Sequence, residues 1–364
     1  MKKLETFICV FATWNVLSCG YLTESLVERA VPAFPEFPAS VDDLSNGQAG
    51  VIYFKTSTPF DLDVLLGDPS LGIPTTGVGT LFLPETSTPT RSPAMVLLHG
   101  SGGISPGREM EYGQLLADNG IAAFVLNYYL PRGVTEETDY MLRVLSVTEF
   151  DAITDAYAAL ELLSTHPAID GERIGVGGFS YGGMAARFAM DDRIHRALAP
   201  EHKGFAAFVD YYGPCFQNLD TTATNGGALL TMRGTEDRSN DLVACVEREE
   251  ELRAIGASVE AHVFAGAGHA WEVDTERKLF PDSPYLQGCE VKYDENGHSS
   301  VNGQAVVDVP IETSRIDRIL IRVSSGDQMQ GCIKNGYVIG RDDETKAKSD
   351  ALLISFLRRE FKMP

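Results

Sequence analysis

The chain has 364 residues and is 44% apolar, which is enough for a sizeable core and too much for a disordered polymer. Its formal net charge of −21 argues against nucleic acid or an anionic membrane surface as the main ligand. Acidity of this kind serves solubility first, with steering of cationic or neutral substrates as the lesser role.

Residues 1–19 read as an export signal. Lys2 and Lys3 form a short basic head, and the apolar run at 7–14 is too short to remain as a membrane span. Val16-Leu17-Ser18-Cys19 then resembles the lipobox of bacterial lipoproteins, which makes Cys19 the lipidation candidate. The alternative is an ordinary signal peptide in which Cys19 has no part. Either way the expected location is outside the cytoplasm: periplasmic or membrane-anchored as a lipoprotein, otherwise secreted. Residues 20–48 are polar and carry Pro32, Pro35 and Pro38, the composition of a linker or a strap. A single domain is expected over 49–364.

That domain begins β-rich, with antiparallel strands expected at 51–55 and 77–83. Apolar runs follow at 94–98, 121–126, 174–178, 204–211, 228–232 and 259–264. Their continuity fits strands covered on both faces, as in a parallel sheet. Helical patterns alternate with them. In one, Phe150, Ile153, Tyr157, Leu160 and Leu163 share a face, and Asp151, Asp155 and Glu161 are expected to point away. Others run over 241–254 and 348–361. The alternation specifies a three-layer α/β domain with a mostly parallel central sheet and helices on both faces.

Residues 275–342 break the pattern. Asn296-Gly297 and Asn302-Gly303 are hairpin-turn signals, so a β-hairpin excursion is expected before the last helix, either walling the active site or decorating the surface. With export assumed and Cys9 and Cys19 set aside, Cys215, Cys245, Cys289 and Cys332 form an even set suited to two disulfides. The local pairings Cys215–Cys245 and Cys289–Cys332 are favoured, since each stays within one region.

The chemistry centres on Gly178-Phe179-Ser180-Tyr181-Gly182, placed between an expected strand and an expected helix. A Gly-x-Ser-x-Gly turn there lifts its serine clear of the sheet. Ser180 needs a base and a carboxylate to orient that base, in the chain order Ser, Asp or Glu, His. Asp237 follows the 228–232 strand, with Glu236 and Asp210 as alternatives, and His269 stands on a glycine-rich loop after the 259–264 strand. Oxyanion donors are expected from the backbone N–H of Tyr181 and of Ser101, with Gly102 the alternative to Ser101, in His99-Gly100-Ser101-Gly102-Gly103. His99 itself is expected to brace its loop.

On these residues the chain resembles the dienelactone hydrolase-like branch of the α/β-hydrolases over roughly 75–275 plus the last helix. The resemblance implies the α/β-hydrolase fold and a serine esterase working through an acyl-enzyme on small-molecule esters, with no metal, organic cofactor or nucleic acid. Two departures stand out: dienelactone hydrolases proper use a cysteine nucleophile, and residues 275–342 exceed the minimal family fold. Ser180-Tyr181-Gly182-Gly183 also looks like the prolyl oligopeptidase catalytic domain, which leaves a small peptidase as an alternative, beside a catalytically silent surface binding protein.

Overall fold

A computed structural model describes residues 6–9, 19–22, 30–85, 91–306 and 309–364. The expected leader falls largely outside the described residues. Of it, only the backbone strand Thr6–Cys9, paired with Cys19–Leu22, is seen, and the Cys19 side chain is outside as well.

One eight-stranded sheet organises the domain. Its strands are β1 (Gly50–Thr58), β2 (Ile73–Phe82), β3 (Ser92–Leu98), β4 (Ala122–Leu126), β5 (Ile169–Phe179), β6 (Ala207–Tyr211), β7 (Ala228–Gly234) and β8 (Val259–Phe264). The spatial order is β8-β7-β6-β5-β3-β4-β2-β1. Strands β3 to β8 run parallel, and β2 is antiparallel to both β1 and β4. This is the mixed sheet of an α/β-hydrolase.

The central strands are apolar throughout because both of their faces are covered. Along β3, Ala94, Val96 and Leu98 enter one core cluster while Met95 and Leu97 enter the other. Side chains alternate across a strand, so a run without polar residues can fill two cores at once. The first core is closed by α3 (Glu149–Ser164) and α4 (Tyr181–Phe188), whose Phe150, Ile153, Leu160, Met184 and Ala185 are buried. The second is closed by α1 (Glu109–Asp118) and α7 (Asp343–Glu360), through Tyr112, Leu116, Leu353, Phe356 and Leu357. Between them in the chain lie α2 (Tyr140–Ser146), α5 (Leu242–Ala254) and α6 (Arg315–Met329).

Helix α3 departs from the expected amphipathic pattern. Glu161 is exposed, but Asp151 and Asp155 are buried. Asp151 closes a capping box with Thr148, accepting from the Thr148 N–H at 2.9 Å. Asp155 is paired with the buried Arg132 at 2.7 Å. The carboxylates tolerate burial because each has a charged or N–H partner, which helical spacing alone does not reveal.

Residues 30–48 lie across the domain. Val41 N–H donates to Tyr53 O at 2.8 Å, Leu44 N–H donates to Thr165 Oγ1 at 2.8 Å, and Leu44 is fully buried.

The 275–342 segment is more than a hairpin. Strands β9 (Lys278–Leu286) and β10 (Ile333–Ile339) pair antiparallel at its two ends. Inside, Val291–Tyr293 pairs with Ser299–Val301 across Asn296-Gly297, and Ser299–Val301 pairs with Gln304–Ala305 across Asn302-Gly303. Asn302 and Gly303 both take positive φ (50° and 79°), as a type I′ turn requires. Inside the segment expected to be a β-hairpin excursion, residues Arg315–Met329 instead form α6. There Ile316, Ile319, Leu320 and Val323 share a stripe packed on Val31 and Phe60, and the 3.6-residue period outweighs β-branched content. Disulfides join Cys215 to Cys245 and Cys289 to Cys332, the favoured pairings. Among the described residues no helix is long and apolar enough to cross a membrane.

Candidate active site

Strand β5 ends at Phe179 and α4 begins at Tyr181, leaving Ser180 as the whole connection. Ser180 sits at φ 55° and ψ −118°, a strained conformation held by its surroundings. Its N–H donates to Tyr211 O at 2.8 Å, and its carbonyl accepts from Met184 N–H at 3.0 Å. Gly182 must lack a side chain, because a Cβ there would stand 2.4 Å from His99 O and 2.5 Å from Leu98 O. The start of α4 thereby packs directly on the end of β3.

Three side chains from separate strand ends meet beside this turn. His269 Nε2 lies 3.0 Å from Ser180 Oγ, and His269 Nδ1 lies 2.7 Å from Asp237 Oδ2. An ionised carboxylate only accepts, so it fixes the proton on Nδ1 and leaves Nε2 free to accept from the serine hydroxyl. Asp237 and His269 are both buried, while Ser180 is half-buried.

The carboxylate is itself held from behind. Asn240 Nδ2 donates to Asp237 Oδ2 at 2.6 Å, and Ser239 donates through its N–H (3.0 Å) and hydroxyl to Asp237 Oδ1. Glu236 is turned outward onto Arg277, and Asp210 is occupied by Arg187 and Arg233. Of the three acids weighed from the sequence, Asp237 alone reaches His269.

The histidine is gripped on several sides. Its backbone N–H donates to Val338 O at 2.7 Å and its carbonyl accepts from Gly340 N–H at 3.0 Å, so the end of β10 brackets it. The buried Tyr212 ring packs on the imidazole with centroids 4.6 Å apart, and the half-buried Tyr337 meets it edge-on at 5.5 Å.

The 99–103 loop lies against Ser180; a Cβ on Gly100 would touch Ser180 Cβ at 3.3 Å. Four side chains brace it. Tyr129 Oη donates to Ser101 O (3.1 Å), Tyr140 Oη shares a hydrogen bond with Ser101 Oγ (3.1 Å), Arg143 donates to Gly102 O (3.1 Å) and Arg108 donates to Gly103 O (3.2 Å). His99 is stacked on Tyr128 at 3.8 Å, and burial pushes its pKa down to about 3, with Arg108 adding to the effect. It is a neutral brace for the loop. Tyr181, the first residue of α4, offers its N–H from the helix's unpaired first turn. Its hydroxyl points away from Ser180 and donates to the buried Glu149. Burial raises the Glu149 pKa, but Arg322 of α6 and the Tyr181 hydroxyl outweigh it and hold this carboxyl below its ordinary value.

Sequence reasoning did not find Ser239, Asn240, Tyr212 or Tyr337. The first two had a signal, a polar turn directly after the acid. The tyrosines had none, since they reach His269 from distant strands.

The dienelactone hydrolase family profile matches residues 79–305, well over half of the chain. The chain belongs to the dienelactone hydrolase family. At the level of that family it is a hydrolase with an α/β fold. No curated protein matches it. Among solved structures, it is similar to a thermophilic esterase from the planctomycete Thermogutta terrifontis with propionate bound. The identity is 18% and the TM-score 0.42, covering 54% of this chain and 80% of that one. It is also similar to a dienelactone hydrolase-like promiscuous phosphotriesterase from metagenomic libraries, at 19% identity and a TM-score of 0.46, covering 61% of this chain and 84% of that one. Dienelactone hydrolases proper place a cysteine at the elbow, where this member has Ser180.

Proposed function

We propose that this family member is a serine esterase that cleaves carboxylic esters of small molecules through an acyl-enzyme. The observation that carries the reading is the unbroken relay from Ser180 Oγ to His269 Nε2, and from His269 Nδ1 to Asp237 Oδ2, at 3.0 and 2.7 Å. As Ser180 Oγ bonds to the ester carbonyl carbon, its proton passes to Nε2, and the C=O electron pair moves onto oxygen. The N–H groups of Tyr181 and Ser101 stabilise that oxyanion, each donor contributing about 10²–10³ in rate. Collapse breaks the bond to the alcohol oxygen, which takes the proton from Nε2. A water molecule then attacks the acyl-enzyme with His269 again as base, returning Ser180 and releasing the acid. Asp237 keeps the imidazole in the required tautomer and stabilises its cation.

The test is p-nitrophenyl acetate hydrolysis by Ser180→Ala, with fluorophosphonate labelling of the wild type. Turnover should fall by roughly 10⁴–10⁶ and labelling should map to Ser180. Unchanged turnover in the variant sinks the reading. Aminoacyl naphthylamides cleaved faster than acyl esters would move it to a peptidase.

We also propose that the protein works outside the cytoplasm, anchored through lipid on Cys19. The leader pattern and the two disulfides support this location. Intact-mass analysis of the mature chain should give a diacylglycerol adduct that is lost in Cys19→Ala. A mature chain without that adduct removes the anchor.

A further inference from the structure

The wall beside His269 includes β10, which lies beyond the residues that the family profile matches. Strand β10 returns from the excursion, hydrogen-bonds to both sides of the His269 peptide, and carries Tyr337. The Tyr337 ring stands edge-on to the imidazole, at 5.5 Å and 84°. Tyr285 of β9 packs edge-on behind it at 6.0 Å and 87°. Both rings are half-buried, so each keeps a free surface. Tyr140, exposed by 42%, is tied to Ser101 Oγ on the 99–103 loop. Burial raises the Tyr337 pKa, and the Tyr140 hydroxyl and Asp237 carboxylate add to the shift, so its hydroxyl stays neutral.

The chemistry decides which half of an ester meets this wall. The departing oxygen must come within reach of His269 Nε2 to receive its proton. The alcohol half therefore lies against whatever borders the imidazole on its open side. The buried side is already filled by Tyr212, which with Asp237 holds the ring in place. A second, partly solvent-exposed aromatic is not needed to orient the histidine. It is placed to touch a ligand. Exposed tyrosine faces and edges suit another ring, which can stack or meet them edge-on, better than they suit a flexible alkyl chain.

We propose that Tyr337, backed by Tyr285, forms a subsite for an aromatic ring on the alcohol half of the ester. The substrate class is then esters of arylalkyl alcohols and phenols. This rests on the esterase reading above, and the experiment separates the two.

Benzyl acetate and methyl phenylacetate are isomers that carry the ring on the alcohol and acyl halves respectively. The wild type should prefer benzyl acetate in kcat/KM by about tenfold, a ratio independent of the overall activity of the preparation. Cyclohexylmethyl acetate, apolar but not aromatic, should fall clearly below benzyl acetate. In Tyr337→Ala the isomer ratio should drop by about tenfold, whereas Tyr337→Phe, which keeps the ring, should retain it. Tyr285→Ala supplies a second variant, with a drop of about threefold. Fluorophosphonate labelling of Ser180 checks that each variant has a formed site. Equal use of the two isomers, equal use of the cyclohexyl ester, or a ratio unmoved in both alanine variants overturns the subsite alone. A wild type that hydrolyses none of these esters overturns the esterase reading, and the subsite with it.

Discussion

Glu272, three residues past His269, is a fully buried carboxyl. Tyr212, the tyrosine packed on His269, donates its hydroxyl to one of the carboxyl oxygens, and the other has no hydrogen-bond partner among the described residues. Burial lifts its pKa to about 8, against the pull of Arg108 at 3.9 Å and with help from Glu109, which Arg108 contacts more closely. The folded state thus keeps a proton that the unfolded chain loses near pH 4.5. Between those two values the folded state binds more protons, so this group's contribution to stability falls as pH rises through the window. Thermal melts should show Tm declining from pH 5 to pH 8.5, and Glu272→Gln should flatten that slope. An identical slope in the variant removes the assignment. Nearer the chemistry, Asp237→Asn should lower kcat by about 10⁴ with little change in Tm, since it disturbs the tautomer rather than the packing. That Ser180, Asp237 and His269 come together could be read from the sequence, because strand-end position and chain order constrain them. Glu272, Arg108 and Tyr212 could not, because each takes its role from a partner that only folding brings near.

At the scale of elements, the β5–α4 turn is where sequence and geometry are most tightly bound. Nothing larger than hydrogen fits at Gly182, and the obstructing atoms are main-chain carbonyls that cannot swing aside. Gly182→Ala should therefore destabilise the fold by several kcal/mol, on the order of 3–5, and yield insoluble or low-melting protein. A soluble Gly182→Ala variant with unchanged Tm would contradict this packing. The inner strands β3, β4, β6 and β7 were legible because burial on both faces leaves an apolar run. Strand β8, also expected to be covered on both faces, is instead a half-exposed edge strand with Val263 in solvent. Helix α3 was legible in position but not in its buried acids, since Arg132, which compensates Asp155, comes from another connection. Helix α6 escaped because its apolar stripe is short and its partners, Val31 and Phe60, come from far earlier in the chain.

At the scale of the molecule, the sheet and the excursion meet at the site from opposite sides, and the excursion is closed by the Cys289–Cys332 disulfide. A cross-link spanning 43 residues stabilises by about 4 kcal/mol in the chain-entropy view. Selective loss of it, as Cys289→Ser with Cys332→Ser, should raise hydrogen exchange over 289–332 while the strands flanking Ser180 stay protected. Esterase turnover should fall with it, because Tyr337 and the backbone bracket on His269 come from the strand just after Cys332. Uniform exchange across the whole chain would instead mean that the excursion and the sheet unfold as one unit. The alternation of strands and helices told this architecture from the sequence. Within the excursion the Asn-Gly turns were legible, but the partners on which α6 packs, Val31 and Phe60, come from outside it.

That bracket has an engineering corollary. Because Val338 and Gly340 hold the His269 peptide, deleting residues 275–341 to make a smaller protein would not merely remove the proposed aromatic wall. It would leave His269 on a loop with two main-chain anchors missing. A trimmed catalyst built on this scaffold must therefore carry a replacement edge strand, grafted where β10 now runs, before its active centre can be expected to keep its alignment.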